Sequence, residues 1–367
     1  MVDHYMKRRN FLKYLTMLGL GPLMNRFLLS CAEPPIKTEA AHPATIPLAI
    51  FDAHAHPGQF FSDRPPRVDS SASMESIRAA GVLGCSFSAV GDLVAISRGH
   101  LSGSESVATR NQLARAQKLI DAGKLSVVTK PTTVMTGKTT TPQAVLAVEG
   151  GDCLQGDIGQ LHAFYDLGVR SICLMHYTIN EIGDIATENP KHNGLTHFGK
   201  RVVEKMQEMG MVVDVAHAHS LTLKDIAAIS SRPIMDSHTS PAPVGNPSES
   251  TEKAIRRMRS WKEMEWVAKT GGVIGTWPLR HTQAGWQRES FADWAKEIMQ
   301  MKSRLGIEHV GLGTDGGGML PRMIVSYSDY RDLKKLAAAM EETGLSTEDI
   351  HAFMSGNFTR VFNACVA

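Results

Sequence analysis

Two imidazoles two residues apart, His54 and His56, follow the apolar run Ile46 to Phe51 in Phe51-Asp-Ala-His-Ala-His-Pro-Gly58. In an extended strand such residues project to the same side, so both rings can reach one cation. A chain with 15 histidines produces such pairs by chance. The pair gains meaning only if other strand ends supply the rest of a metal site.

Five further apolar runs end on the same kinds of residue. Glu149 lies in Val148-Glu-Gly-Gly151, His176 in Leu174-Met-His-Tyr177 and His217 in Asp214-Val-Ala-His-Ala-His219. His238 closes Met235-Asp-Ser-His238, and Asp315 sits in Gly313-Thr-Asp-Gly316. One such residue alone usually serves packing or a loop hydrogen bond. Imidazoles and carboxylates gathered at six strand ends form the donor set of a hydrolytic Zn²⁺ site, with an open position for water. His219 falls further into its loop than His217, and His192, His197 and His309 read as surface or capping residues.

The elements that must position these residues alternate. Strand-like runs are Leu48–Ala53, Leu83–Ala89, Ala144–Val148, Ser171–Met175, Met211–Ala216, Pro233–Ser237, Gly272–Trp277 and His309–Thr314. They are nearly continuous apolar stretches, as a parallel sheet buried on both faces requires. A ninth, Leu125–Thr129, is set apart by a Lys/Thr/Pro-rich loop and is placed outside the main sheet. Helical patterns lie between them: Phe198 to Met209, Glu263 to Thr270, Phe291 to Leu305 and Ser328 to Thr343. Thr196 can cap the first of these and Gly210 can stop it. Ser346-Thr-Glu-Asp349 has the form of a capping box. Eight β/α alternations predict a (β/α)₈ barrel, with an open doubly wound sheet as the rival. Gly311-Leu-Gly-Thr-Asp-Gly316 matches a dinucleotide-binding pattern in letters only, because no helix opens after it and Pro321 follows.

The formal charge of +2 comes from the N-terminus. Residues 1–31 hold five basic side chains and one acid, and without them 34 basic and 36 acidic residues remain, a net of −2. No basic face suggests nucleic acid as a partner. Lys7-Arg-Arg-Asn-Phe-Leu-Lys13 followed by Tyr14 to Leu29 resembles a twin-arginine export signal, so a periplasmic location is expected. Arg26 interrupts the apolar stretch before it reaches the ~20 residues that a membrane span needs. Leu28-Leu-Ser-Cys31 resembles a lipobox, which would attach the protein to a membrane through a lipidated Cys31. Residues 32–46 then form a proline-containing tether to a single catalytic domain over 47–367. Cys85, Cys153, Cys173 and Cys365 form no Cys-x-x-Cys pair, and nothing demands a disulfide.

Over about residues 49 to 366 the chain resembles the membrane (renal) dipeptidase family of binuclear zinc peptidases. The likeness runs through Asp52-Ala-His-Ala-His56, Val148-Glu-Gly-Gly151, Gly168 to His176 and Asn180-Glu-Ile-Gly-Asp184. It continues through Gly194 to Val203, Asp214-Val-Ala-His217, Ser237-His238, Gly313-Thr-Asp-Gly316 and Gly356-Asn-Phe-Thr-Arg360. It implies two Zn²⁺ ions, one on His54 and His56 and the other on His217 and His238, with Glu149 bridging. It further implies that His176 polarises the scissile carbonyl of a dipeptide, that Asp315 carries the proton, and that Arg257 holds the substrate carboxylate. Arg256 and Arg259 flank that last position. A bridging hydroxide is the implied nucleophile, and a homodimer is expected by analogy.

The chain departs from the family at residue 56, where His-x-His replaces His-x-Asp. The ligand set thereby loses one negative charge, which makes a bound water more acidic. The bulky residues that follow this motif in the family are absent from Pro57-Gly-Gln-Phe60, and Trp277 is a substitute wall or a packed core residue. An amidohydrolase acting on another amide or a lactone is the first rival reading, and a non-catalytic metal-binding lipoprotein the second.

Overall fold

The computed structural model describes residues 48–59, 72–92, 104–131, 141–243, 247–250, 252–283, 286–318, 320 and 322–366. The twin-arginine segment, Cys31 and the tether lie outside the described residues. Among the described residues no helix is long and apolar enough to cross a membrane.

Eight parallel strands pair in chain order: β1 Phe51–Ala55, β2 Gly84–Val90, β3 Gln143–Glu149, β4 Val169–Cys173, β5 Val212–Asp214, β6 Met235–Thr239, β7 Val273–Thr276 and β8 Val310–Leu312. Helices fill the connections, among them Glu105–Asp121, Ile158–Asp166, His197–Glu208, Ser220–Ile229, Trp261–Lys269 and Phe291–Leu305. This is the expected (β/α)₈ barrel, and strand order without a reversal rules out the doubly wound sheet. The ninth run was expected outside the main sheet. Its residues Ser126–Val127 instead pair with Gln143 and Ala144 at the start of β3, as a branch off the ring. Gln143 and Ala144 are open to it because the pairing of β3 with β4 starts only at Leu146.

The seam between β8 and β1 shows how the ring closes. Near the strand ends the main chain does it: Asp315 N donates to His54 O at 2.9 Å and His56 N to Gly316 O at 2.7 Å. Below that, the Asp52 carboxylate replaces the ladder, accepting from Thr314 N at 2.8 Å and from the hydroxyls of Thr314 and Tyr330. Closure therefore depends on a buried acid and places Asp315 against His54 and His56.

The barrel interior divides by depth. The first residues of the strands (Phe51, Val212, Met235, Val273) pack with Phe358, Val361, Phe362 and Cys365 of the last helix, Asn357–Val366. Phe51 stacks on Phe358 with ring centroids 5.0 Å apart. The last helix thus seals the N-terminal end of the barrel with apolar side chains, leaving the polar strand ends at the other. The motif residues Asn357 and Arg360 hold it there: Asn357 donates to Val310 O, and Arg360 to Gly271 O and Glu308 O. The capping box Ser346/Asp349 is present, and Lys302 Nζ adds a bond to Asp349 at 2.5 Å.

Candidate metal centre

The strand ends bring the sequence-selected residues into one buried cluster around Glu149. Its Oε1 lies 3.4 Å from His54 Nε2, 3.2 Å from His217 Nε2 and 3.4 Å from His238 Nε2. Its Oε2 lies 3.2 Å from His56 Nε2 and 3.4 Å from His176 Nε2. Asp315 Oδ1 is 3.5 Å from His56 Nε2 and 4.0 Å from His54 Nε2. Every one of these side chains is buried, Asp315 at 9% exposure being the most open.

Local backbone turns aim them. His217 and Asp315 adopt positive φ of 64° and 51°, a conformation that non-glycine residues take at a cost of about 1–3 kcal/mol. The surroundings hold that strain at both. The β4 loop latches onto His217 through Ala186 N to His217 O at 2.8 Å and His219 N to Asp184 O at 2.8 Å. Asp184 in turn gathers the amides of Lys191, His192 and Gly194. The motif residues 180–184 are therefore scaffold. His219 caps the helix Ser220–Ile229 and takes no part in the cluster. On β6 the register slips between Asp236 and Thr239. Ser237 O there approaches Gly275 and Gly313 so closely that a Cβ on either would lie 1.8 or 1.7 Å away. Only glycine admits the bulge that turns His238 inward.

Polar groups behind the rings fix which nitrogen faces the centre. His56 Nδ1 donates to Ser88 O at 2.7 Å. A carbonyl carries no proton, so the neutral ring presents a bare Nε2 lone pair. His54 Nδ1 meets the hydroxyls of Ser88 and Ser237 at 3.2 and 3.4 Å, and His238 Nδ1 meets Ser237 Oγ at 2.9 Å. His176 Nδ1 bonds Asp92 Oδ2 at 2.5 Å. Metal-binding histidines are held in this way from behind.

Such a cluster suits a cation. His54 Nε2 is buried without a hydrogen bond, and the Nε2 atoms of His217 and His238 stand 3.1 Å apart. A lone pair on His56 pointing at a carboxylate oxygen is repulsive unless positive charge lies between them. Burial, followed by the charge of Arg257, pushes His217 well below the ordinary imidazole value, and burial with His54 and Arg257 does the same to His238. Both are thus neutral, as ligands must be. Burial would raise Glu149, but the charges of His176 and His54 outweigh it and hold the carboxyl well below its usual range. Three overlapping groups of donor atoms are close enough to hold an ion: His54, Glu149 and His238; His54, His56 and Asp315; Glu149, His176 and His217.

The three neighbouring arginines separate by role. Arg256 bonds Glu188 O and Asn189 near the surface. Arg259 is locked in the core by Asp236 at 2.6 Å and by the carbonyls of Ala218 and Val215, and so braces the turn that carries His217. Arg257, 7% exposed, gives one bond to His238 O, while its Nε and NH1 have no partner. Its guanidinium lies 5.3 Å from the Trp277 ring centroid. Trp277 is buried, bonds Ser240 through Nε1 and backs His238, which makes it a packed wall. Arg259→Met leaves Asp236 charged and buried without its partner, and we expect a stability loss of about 3–5 kcal/mol in chemical denaturation. An unchanged midpoint would show that the Asp236 pair braces nothing.

Sequence reasoning passed over Asp92. The run was ended at Ala89, whereas β2 extends to Val90 and turns through Gly91 into this fully buried acid. The carboxylate after a glycine at a strand end was the available signal. The supporting hydroxyls of Ser88 and Ser237 carried none.

Comparison with known proteins agrees with this geometry. The family model "Membrane dipeptidase (Peptidase family M19)" matches residues 68–366, which leaves the His54/His56 motif outside the matched span. Dipeptidase aclJ of Aspergillus oryzae is 30% identical over 221 residues, 59% of this chain and 50% of that protein. Dipeptidase 3 of Mus musculus is 27% identical over 228 residues, 59% and 43% of the two chains. The chain thus spans about half the length of the curated relatives it matches. A metallo peptidase structure from Rhodobacter sphaeroides, liganded with a phosphinate mimic of the dipeptide L-Ala-D-Ala, superposes with a TM-score of 0.71 at 16% identity, covering 87% of this chain and 99% of that one. The probable dipeptidase PvdM from Pseudomonas aeruginosa gives 0.70 at 17% identity, covering 88% and 96%. These structures share the barrel. With the family model spanning most of the chain and the strand ends converging on Glu149, the protein belongs to the membrane dipeptidase family, peptidase family M19.

Proposed function

We propose that the protein hydrolyses dipeptides at a binuclear zinc centre. The observation that carries this reading is the convergence of five Nε2 atoms on the two oxygens of Glu149, with Asp315 against His54 and His56, beside a buried arginine with unpaired N–H groups. His54 and His56 would hold one ion and His217 and His238 the other, with Glu149 shared between them. When bound, the ions would supply an acidified water as nucleophile and would polarise the peptide carbonyl.

The chain's own residues do the rest. Arg257 offers its free Nε and NH1 to the substrate's terminal carboxylate, a pairing that longer peptides cannot make. Asp315 accepts the water proton and returns it to the leaving amine. The phosphinate-bound relative makes L-Ala-D-Ala the first substrate to assay. The imidazole at 56 favours one second reading, an amidohydrolase acting on acyl-amino acids or lactones. A panel of dipeptides, acyl-amino acids and lactones, run with metal analysis, separates the two. Cleavage of lactones alone would displace the dipeptidase reading.

Burial, reinforced by the charge of Glu149, pushes the Asp315 carboxyl up to about 6. The base must be ionised to accept a proton, so kcat/KM falls as pH drops through that value. Bound cations favour the carboxylate and move the midpoint lower, so the acid limb should lie at or below about 6. An acid limb centred well above neutrality in the pH profile would remove Asp315 from this role.

A further inference from the structure

Resting on the dipeptidase reading, we infer that Tyr177 is a specificity-determining residue: a fixed aromatic face at the mouth of the site that receives the side chain of the substrate's N-terminal residue and favours large apolar ones.

The exposures of the site residues locate the mouth. His54, His56, Glu149 and His238 are at most 2% exposed, whereas His176, His217, Arg257 and Asp315 reach 6–9%. The second group therefore rims the entry. Tyr177 follows His176 and is 44% exposed. Its ring centroid lies 4.0 Å from that of His176 and 5.9 Å from that of His217. A ring that packs on two rim residues and is open to water stands at the entry. Single exposed hydrophobics are ordinary on a protein surface. Among the described residues the others of large size, Val107, Leu167 and Leu221, belong to connecting helices or a helix end. Tyr177 alone of these four comes just past a barrel strand.

The chain presents this ring rigidly. Tyr177 N donates to Asp92 Oδ2 at 3.4 Å. Thr178 Oγ1 and Asn180 Nδ2 donate to Asp152, and Asn180 Nδ2 also to Leu174 O at 3.0 Å. A pinned backbone and a side chain with two torsions lose little entropy on contact with a ligand.

Strand order assigns the half of the substrate. Arg257 bonds His238 O on β6, so the terminal carboxylate that it would hold lies on that side. Asp315 follows β8 and would serve the leaving amine of the same residue. The C-terminal residue thus spans the β6 to β8 side. β4 stands opposite β8 in the closed ring, so the N-terminal residue extends toward β4 and Tyr177. An aromatic face there rewards apolar and aromatic side chains through burial and ring stacking.

The test is kcat/KM for two series of dipeptides, Gly-Ala, Leu-Ala and Phe-Ala against Ala-Gly, Ala-Leu and Ala-Phe. Wild type should prefer Phe-Ala to Gly-Ala. Tyr177→Ala should lower that ratio about 10-fold and move the ratio of Ala-Phe to Ala-Gly by less than about 2-fold. Tyr177→Phe keeps the ring and should hold the wild-type ratio within about 2-fold. Equal losses by Tyr177→Ala on every substrate would show that the ring only supports His176, and would overturn the inference. An effect confined to the second series, or a Tyr177→Phe protein that falls as far as Tyr177→Ala, overturns it as well. Wild type that cleaves neither series sinks the dipeptidase reading together with this inference, whereas cleavage with no dependence on the N-terminal side chain sinks the inference alone.

Discussion

Glu149→Gln abolishes turnover and leaves fewer than two metal ions per chain. The substitution keeps size and shape and removes the charge on which five imidazoles converge. The present carboxyl is held ionised because the histidine charges outweigh its burial. A glutamine offers one carbonyl oxygen and an NH₂ group, and an NH₂ group cannot ligate a cation. On the proposed binuclear reading, the two ions would lose their common ligand, and with it the acidified water and the polarised carbonyl. Metal stabilisation of the transition state is worth several kcal/mol, so kcat should fall by about 10³-fold or more. Steady-state kinetics with metal analysis on the same preparation reads both effects. Full activity with two ions bound would sink the scheme.

Arg257→Met is the second large effect that the proposed function predicts, and it should act on substrate binding. Methionine retains apolar contact with Trp277 and removes the cation. Truncating one partner of a buried, hydrogen-bonded charge pair costs about 2–5 kcal/mol, which corresponds to a KM raised from about 30-fold to more than 10³-fold. Dipeptide amides supply a control. Wild type should discriminate strongly against them, and the variant should not, because the group that senses the carboxylate is gone. Arg256→Met should leave KM unchanged, since Arg256 faces Glu188 and Asn189 at the surface. Equal KM values for wild type and Arg257→Met would move carboxylate recognition to another residue.

The barrel was legible because its strands are short apolar runs at regular intervals, and parallel strands covered on both faces require such runs. The donor residues were legible for a related reason. A barrel exposes the C-terminal ends of its strands on one face, so the residue just past each run is a site residue by position. The boundaries were less legible. The sixth run was read as ending at Ser237, whereas β6 continues through His238 to Thr239 across a bulge that depends on Gly275 and Gly313, which lie far away in sequence. The cluster Arg256, Arg257 and Arg259 shows the same limit. Side chains one to three residues apart met Glu188, the His238 carbonyl and Asp236 respectively, and no local pattern distinguishes those fates.

The amino-acid sequence by itself determined the number and order of the β/α units and which residue types stand at their ends. It also contained the one departure in the ligand set, histidine at 56. Only the tertiary structure decided how those ends meet. The Asp52 seam sets Asp315 against His54 and His56, and the Arg259 brace holds the His217 turn. Asp92 reaches His176 Nδ1 from 84 residues away. Local pattern determines which atoms are available, because it follows the strand repeat. The proton positions and the meeting of charges depend on neighbours that only the closed barrel brings within 3 to 4 Å.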